Sequence, residues 1–155
     1  LLLNRPLEDN TFSCYIKGKV HINTIITFDS VKCKVIKLKE DGSRVVKFYQ
    51  NGIDLDFLEL VEVLNKIGHI PLPPYINRKD EKSDNKDYQT LWASNYGAVA
   101  APTASLHFTP QLLKKLQEQY ETSYLTLHVG AGTFKPVECQ NILDHPIHSE
   151  YFDMP

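Results

Sequence analysis

Asp41-Gly42, which lies between the runs KCKVIKLK and RVVKFYQ, narrows the range of possible folds at once. An Asp-Gly pair between two runs rich in β-branched and aromatic residues is typical of a β-hairpin. The alternation of lysines in VKCKVIKLK slips by one residue near Ile36, which predicts a β-bulge. Residues 12–49 therefore predict several short strands in a small barrel or sandwich.

The pattern changes from strand to helix near residue 53. One helical face in DLDFLELVEVLNKIGH holds Phe57, Leu60, Val61 and Leu64, with Asp54 or Asp56 as the N-cap and Gly68 as the end. A second helix is predicted from Thr109 and Pro110, and a strand over 123–129. We therefore predict an α/β fold class, with a partial β-barrel module over 1–52 and a mixed α/β module over 53–155.

The segments between these elements are rich in proline, charge or small residues. The prolines of IPLPPY (70–75) predict an extended path. The charged run INRKDEKSDNKDYQ predicts an exposed loop, and GAVAAPTASLHFT (97–109) predicts a buried strand and a turn.

Charge is distributed unevenly along the chain. Residues 1–50 hold nine Lys and Arg against five Asp and Glu, and the remainder holds eight against fourteen. The basic part either meets a nucleic-acid backbone or is a solvated strand face. No apolar run has the length of a membrane span. The three cysteines are widely spaced and form no CxxC pair, which favours reduced, buried thiols and a cytoplasmic location without a membrane partner.

The run LHVGAGTF (127–134) places a glycine pair at the end of the predicted strand. Gly130 and Gly132 match the first two positions of a dinucleotide fingerprint, but residue 135 is Lys where the third glycine belongs. No Gly-Lys-Ser/Thr loop is present either. Because glycine has no Cβ, a ligand can approach this backbone closely, so we predict a ligand contact with a plain turn as the alternative.

Histidines gather beyond residue 66, where each abuts a turn, a Gly or a Pro: His69, His107, His128, His145 and His148. Because histidine exchanges protons near neutral pH, this pattern indicates proton transfer; the alternative is a plain α/β core with structural histidines. HPIHSE (145–150) also offers His145, His148 and Glu150 to a metal, as in a metal-dependent hydrolase. Pro146 rules out the helix that an HExxH site needs, and we predict no metal.

Six motifs occur in order between residues 66 and 152: GHIPLPPYI, RKD, YQT, GAVAAPTASLHFT, TLHVGAGTFKPV and HPIHSEYF. Together they resemble the S-adenosylmethionine:tRNA ribosyltransferase-isomerase family of the queuosine pathway. Residues 1–65 are loosely similar to the family's inserted β-barrel. The resemblance implies that 53–155 is part of the catalytic module and that both ends of the family's chain lie outside these 155 residues.

The resemblance also implies an activity. The family moves the ribosyl group of S-adenosylmethionine to a 7-aminomethyl-7-deazaguanine base at the wobble position of tRNA. Epoxyqueuosine forms, and adenine and methionine leave. S-adenosylmethionine is thus a substrate and tRNA the partner, with no metal; we expect a monomer.

Under this resemblance the predicted residues acquire roles. A base must remove a ribose C5′ proton next to the sulfonium, and His107 and then His128 are the candidates. An acid that protonates adenine is expected among His69, His145 and His148. The predicted contacts with S-adenosylmethionine are Tyr75, Arg78, Asp80, Tyr88, Thr103, Gly130 and Gly132. Arg78 is expected to pair with the methionine carboxylate or a tRNA phosphate.

Two positions depart from the family's usual motifs. Ser105 stands where the family usually has Gly, and Ile147 where Met is common; neither change removes a proton-transfer group. A second hypothesis from another class is a non-catalytic RNA-binding module built on the basic β segment.

Overall fold

The computed structural model describes residues 1–73, 75–134 and 136–155 of the chain. These form two compact units, Leu1–His69 (unit 1) and Ile70–Pro155 (unit 2). Helices and strands are both present, in keeping with the mixed α/β content that the sequence predicted. Pro74 of the predicted extended segment and Lys135 at the third fingerprint position lie outside the described residues.

Unit 1 is an antiparallel sheet of six strands. In chain order these are β1 (Leu2–Pro6), β2 (Phe12–Tyr15), β3 (Ile25–Phe28), β4 (Val31–Leu38), β5 (Arg44–Gln50) and β6 (Ile53–Asp54). The strand order is β1-β2-β5-β4-β3, and β6 pairs with β5. The inward side chains form the core of the unit, with Phe12 edge-on to Phe48 at 5.5 Å.

The predicted hairpin and bulge are both confirmed. Lys39 and Ser43 close the turn between β4 and β5 through a backbone hydrogen bond of 3.0 Å, and Gly42 has a φ of +84° that glycine adopts readily. The register of β4 against β5 shifts between Val35 and Lys37, next to the predicted position. Local turn chemistry and alternation were thus sufficient to locate this hairpin.

The predicted barrel is not closed in the described part of unit 1. The sheet runs from β1 at one edge to β3 at the other, and within the described residues no pairing joins these two strands. Because a barrel requires its edge strands to pair, the observed arrangement is an open antiparallel sheet.

Helix α1 (Phe57–Ile67) belongs to unit 1. Asp56 and Glu59 form a reciprocal capping box, with 2.9 Å bonds in both directions, and the helix ends at Gly68 as predicted. Leu60 is buried in the same core as Val35 and Val46. The compact unit therefore extends to residue 69, whereas the sequence placed the boundary before this helix.

Unit 2 consists of short elements joined by irregular segments. They are α2 (Asp84–Asp87), α3 (Pro110–Gln119), β7 (Thr126–His128) and β8 (Tyr151–Asp153), with 3₁₀ turns at Thr103–Ser105, Ala131–Phe134 and Ile142–Asp144. Helix α3 begins as predicted, with the Thr109 hydroxyl accepting from the Leu112 N–H at 3.2 Å. Across the described chain no helix combines the length and apolar character needed to cross a bilayer.

The prediction of a buried strand in 97–109 is wrong, although the turn is present. The segment contains no strand, and of its residues only Val99 is buried. Val99 donates to the Val129 carbonyl at 2.7 Å, next to the end of β7. Small apolar residues and Pro102 favoured burial by composition, but this single backbone contact is followed by the exposed 3₁₀ turn at Thr103–Ser105.

Candidate active site

The pairing of β7 with β8 places His128 opposite Tyr151. Directly opposed residues of antiparallel strands project from the same face, so the two rings meet. They stack with a centroid distance of 5.7 Å and an interplanar angle of 25°. The strand predicted over 123–129 is limited to Thr126–His128, and it positions His128 by cross-strand pairing.

Gly97 brings the backbone of a distant segment onto the His128 ring. A Cβ at residue 97 would lie 2.6 Å from Nδ1 and 2.8 Å from Cε1 of His128. The φ of Gly97 is +140°, which side-chain-bearing residues rarely adopt. Glycine is therefore required here both for its conformation and for the space that it leaves.

Glu150 links Gly130, the first glycine of the GAG turn (residues 130–132), to His148. The Gly130 N–H donates to Glu150 Oε2 at 2.7 Å, and His148 Nε2 lies 3.0 Å from Oε1. The Glu150 side chain is 24% exposed and that of His148 42% exposed, so both reach solvent. A carboxylate held by a backbone donor and facing an imidazole can orient that ring for proton transfer.

Gly132 allows the His148 ring to lie against the backbone. A Cβ at residue 132 would lie 2.5 Å from His148 Cδ2 and 2.8 Å from its Cβ. At Gly130 the added Cβ would lie 2.9 Å from Glu150 Oε2. Close approach, the property for which the sequence singled out these glycines, is thus used by two side chains of the protein itself.

Arg78, which the sequence assigned to a substrate anion, is paired with Asp84. Two guanidinium nitrogens donate to the two carboxylate oxygens at 2.8 and 2.7 Å, and the Glu81 N–H also donates to Asp84, at 2.6 Å. The hydrogen bonds from Arg78, and then that from Glu81, lower the pKa of Asp84 from 3.8 to about 2. Asp84 is buried, while the side chain of Arg78 is 42% exposed.

Other predicted site residues lie elsewhere in their units. His107 is exposed after the Thr103–Ser105 turn, Thr103 opens that turn, and His145 ends the Ile142–Asp144 turn. Within the described residues, no side-chain hydrogen bond or ring contact joins them to His128 or His148. His69 and Tyr75 are exposed, Asp80 is half-buried with an interaction of its own, and the Tyr88 N–H donates to the Asp84 carbonyl at 2.9 Å.

Two of the five predicted histidines thus have defined partners in unit 2: His128 contacts Gly97 and Tyr151, and His148 contacts Glu150. We call these five residues the His128–His148 cluster. From the sequence, Glu150 is a candidate only as a metal ligand, and Gly97 and Tyr151 are not candidates for the site. Glu150 follows His148 by two residues, and that spacing puts both on one side of an extended chain, so a signal existed. Gly97 has no comparable signal, because its partner is 31 residues away.

The three residues considered for a metal are not all brought together. His148 and Glu150 are in contact, but His145 does not join them. Among the described residues no group of three or more His, Cys, Asp or Glu is arranged to hold a metal ion. The metal-hydrolase alternative therefore lacks the ligand set on which it was based.

Comparison with known proteins gives consistent matches over the whole chain. The family model described as "Queuosine biosynthesis protein" matches residues 1–155. Proteins named S-adenosylmethionine:tRNA ribosyltransferase-isomerase are 62% identical in Aliarcobacter butzleri (strain RM4018), 54% in Campylobacter concisus (strain 13826) and 52% in Sulfurimonas denitrificans (strain ATCC 33889 / DSM 1251). Each alignment covers 99% of this chain.

The chain spans slightly less than half the length of these relatives, 46%, 46% and 45% respectively. No solved structure matches it. The family model covers all 155 residues, and the six sequence motifs lie within that match. The chain accordingly belongs to the queuosine biosynthesis protein family, as its resemblance to the ribosyltransferase-isomerases predicted.

Proposed function

We propose that the protein containing this chain is an S-adenosylmethionine:tRNA ribosyltransferase-isomerase. It transfers the ribosyl group of S-adenosylmethionine to a 7-aminomethyl-7-deazaguanine base at the tRNA wobble position. Epoxyqueuosine is the product, and adenine and methionine are released. The names of the relatives support the reaction class. The contact of His148 with Glu150 at the GAG turn is the structural observation that carries the proposal.

The first chemical step requires a proton acceptor. The sulfonium of S-adenosylmethionine acidifies the ribose C5′ hydrogens, and the reaction begins when a base removes one of them. An ionised Glu150 accepts hydrogen bonds only, so the nitrogen that faces it, His148 Nε2, carries the hydrogen. In a neutral ring this leaves the lone pair on Nδ1. The Glu150 contact thereby selects the tautomer of His148 in which Nδ1 is the base.

His148 therefore takes the role for which the resemblance made His107 and then His128 the candidates. His107 lacks an orienting partner in the described structure, whereas His148 is oriented by Glu150 and supported by Gly132. His128 is oriented by Tyr151 and Gly97, and we assign it to the proton that adenine needs in order to leave. His128 was predicted among the bases and His148 among the acids, so this proposal reverses their predicted roles.

Arg78 and Asp84 have a narrower role in this proposal. Because the guanidinium is already bound at two nitrogens, the pair carries little net charge to attract a substrate anion. We assign it to fixing the loop between residues 78 and 84, leaving the exposed edge of Arg78 for a weaker polar contact. Contact of ribose or adenine with the backbone of the GAG turn stays a prediction.

The test measures adenine released from S-adenosylmethionine by the full-length protein in the presence of precursor tRNA. His148→Ala should lower the rate by a factor of roughly 10²–10⁴, the contribution of a well-placed general base. His145→Ala is the matched control, since His145 precedes it by three residues and lies outside the cluster. Absence of adenine with the wild-type protein refutes the reaction, and equal rates for both variants refute the role of His148.

A further inference from the structure

One face of the unit 1 sheet concentrates basic side chains. On β4, Val31, Cys33 and Val35 point into the core and are buried, so the alternation directs Lys32 and Lys34 to the opposite face. Lys32 is exposed and Lys34 half-buried. The hydrophobic pattern of the strand thereby fixes the direction of both lysines.

The β-bulge adds a third lysine to this face. Val35 pairs with Val46 in the core, and the register shift then pairs Lys37 with Val45, the outward neighbour of Val46. Without the extra residue, strict alternation would turn residue 37 toward the core. The bulge thus keeps Lys37 on the same side as Lys32 and Lys34.

The neighbouring strand continues the same surface. Lys34 pairs with Lys47 of β5, and Lys32 pairs with Tyr49. We call the surface formed by Lys32, Lys34, Lys37, Lys47 and Tyr49 the lysine face. Lys47 has an ion pair with Asp54 at 2.9 Å, but the other three lysines have none within the described residues. No carboxylate in the described part of the chain therefore forms an ion pair with Lys32, Lys34 or Lys37.

The lysine face is basic because acidic and basic side chains lie on different parts of unit 1, and the unit as a whole has no large excess of basic residues. Unit 1 holds ten Lys and Arg against nine Asp and Glu. The acidic residues include Asp56, Glu59 and Glu62 around α1, whose Leu60 packs on the inward side of the sheet. A unit that is close to neutral thus presents a basic surface on the side of the sheet away from this helix.

We propose that the lysine face binds the phosphate backbone of the tRNA on which the protein acts. This rests on the proposed function, and it names a surface for the partner. Lysine ammonium groups act as point charges, which suits phosphates repeated along a strand and does not read base identity. The lysine face therefore contributes affinity and orientation on the tRNA, while recognition of the modified base lies elsewhere.

Single variants Lys32→Gln, Lys34→Gln and Lys37→Gln in the full-length protein test this surface. The precursor tRNA Kd is measured against salt concentration. Each loss of a phosphate contact should weaken binding roughly tenfold at about 50 mM salt and reduce the slope of log K against log salt by about 1. Lys66→Gln is the matched control, because Lys66 lies in the last turn of α1. Lys34→Arg should restore both the affinity and the slope.

Kinetic constants separate this inference from the proposed function. The three variants should raise KM for tRNA more than they lower kcat, without a change in KM for S-adenosylmethionine. If the wild-type protein releases no adenine, the proposed function fails, whereas an altered tRNA salt slope still supports a nucleic-acid surface. If adenine is released normally and all three variants bind tRNA with the affinity and salt slope of Lys66→Gln, the lysine face does not bind the tRNA.

Discussion

Substitution of Gly97 by alanine tests how the backbone positions His128. The added Cβ lies 2.6 Å from the ring Nδ1, whereas unbonded heavy atoms settle at about 3.5–4.0 Å. The ring must therefore move by about 1 Å, and its stacking on Tyr151 opposes that movement. The backbone φ of +140° adds a conformational cost that exists for any side chain.

The two costs can be estimated separately. A positive φ costs an alanine about 1–2 kcal/mol, and crowding in a packed site costs about 1–3 kcal/mol. We expect Gly97→Ala to lower the free energy of unfolding by about 2–5 kcal/mol. A displacement of about 1 Å in a catalytic group should also lower the adenine-release rate about 100-fold.

Two further variants isolate the contact with the ring. Gly18 has a φ of +102° with nothing within 4 Å of an added Cβ, so Gly18→Ala should show only the conformational cost. In a His128→Ala background, Gly97→Ala should likewise lose its crowding component, a coupling that a double-mutant cycle measures. Urea unfolding and adenine release are the assays. Crowding of the His128 ring by residue 97 is ruled out if Gly97→Ala destabilises the protein no more than Gly18→Ala, or if its full cost persists without the His128 ring.

Three other perturbations have defined outcomes. Burial raises the pKa of Cys33 to about 12, so a thiol reagent at pH 8 should modify the half-exposed Cys139 rapidly and Cys33 only after unfolding, as peptide mapping will show. Arg78 lowers the pKa of Asp84 to about 2. The stability advantage of the wild type over Asp84→Asn in urea unfolding should therefore be complete above about pH 4 and vanish as the pH falls to about 2. An advantage that grows on acidification contradicts the pairing. Asp56→Ala removes the capping box of α1 and should cost about 1 kcal/mol in urea unfolding, with no loss contradicting the cap.

The sequence was most informative where structure depends on near neighbours. The Asp41-Gly42 hairpin, the slip near Ile36 and the N-caps at Asp56 and Thr109 all follow from hydrogen bonds or alternation within a few residues. Each signal contains both partners of the interaction in one short stretch. Such features could therefore be located from the sequence, although the structure was needed to choose Asp56 over Asp54 as the cap of α1.

Contacts between residues far apart in the chain could not be predicted from local sequence patterns. Gly97 meets His128 only because the 97–100 segment runs beside the end of β7. Each of the five histidines abuts a turn, a Gly or a Pro in sequence, so this pattern did not reveal that His128 contacts Gly97 and Tyr151 while His148 contacts Glu150 and Gly132. Arg78 is a shorter-range example. Its motif predicted an anionic substrate group as its partner, whereas in the structure that partner is the carboxylate of Asp84, six residues away.

The most direct test follows ribose-labelled S-adenosylmethionine into tRNA while adenine is quantified in the same reaction. The full-length wild-type protein should release one adenine for each label incorporated, and His145→Ala should keep the same ratio at a near-normal rate. Glu150→Gln should slow both by at least about tenfold, because the neutral amide no longer selects the His148 tautomer. Undiminished label transfer in Glu150→Gln and in His148→Ala would show that this pair does not perform the proton transfer.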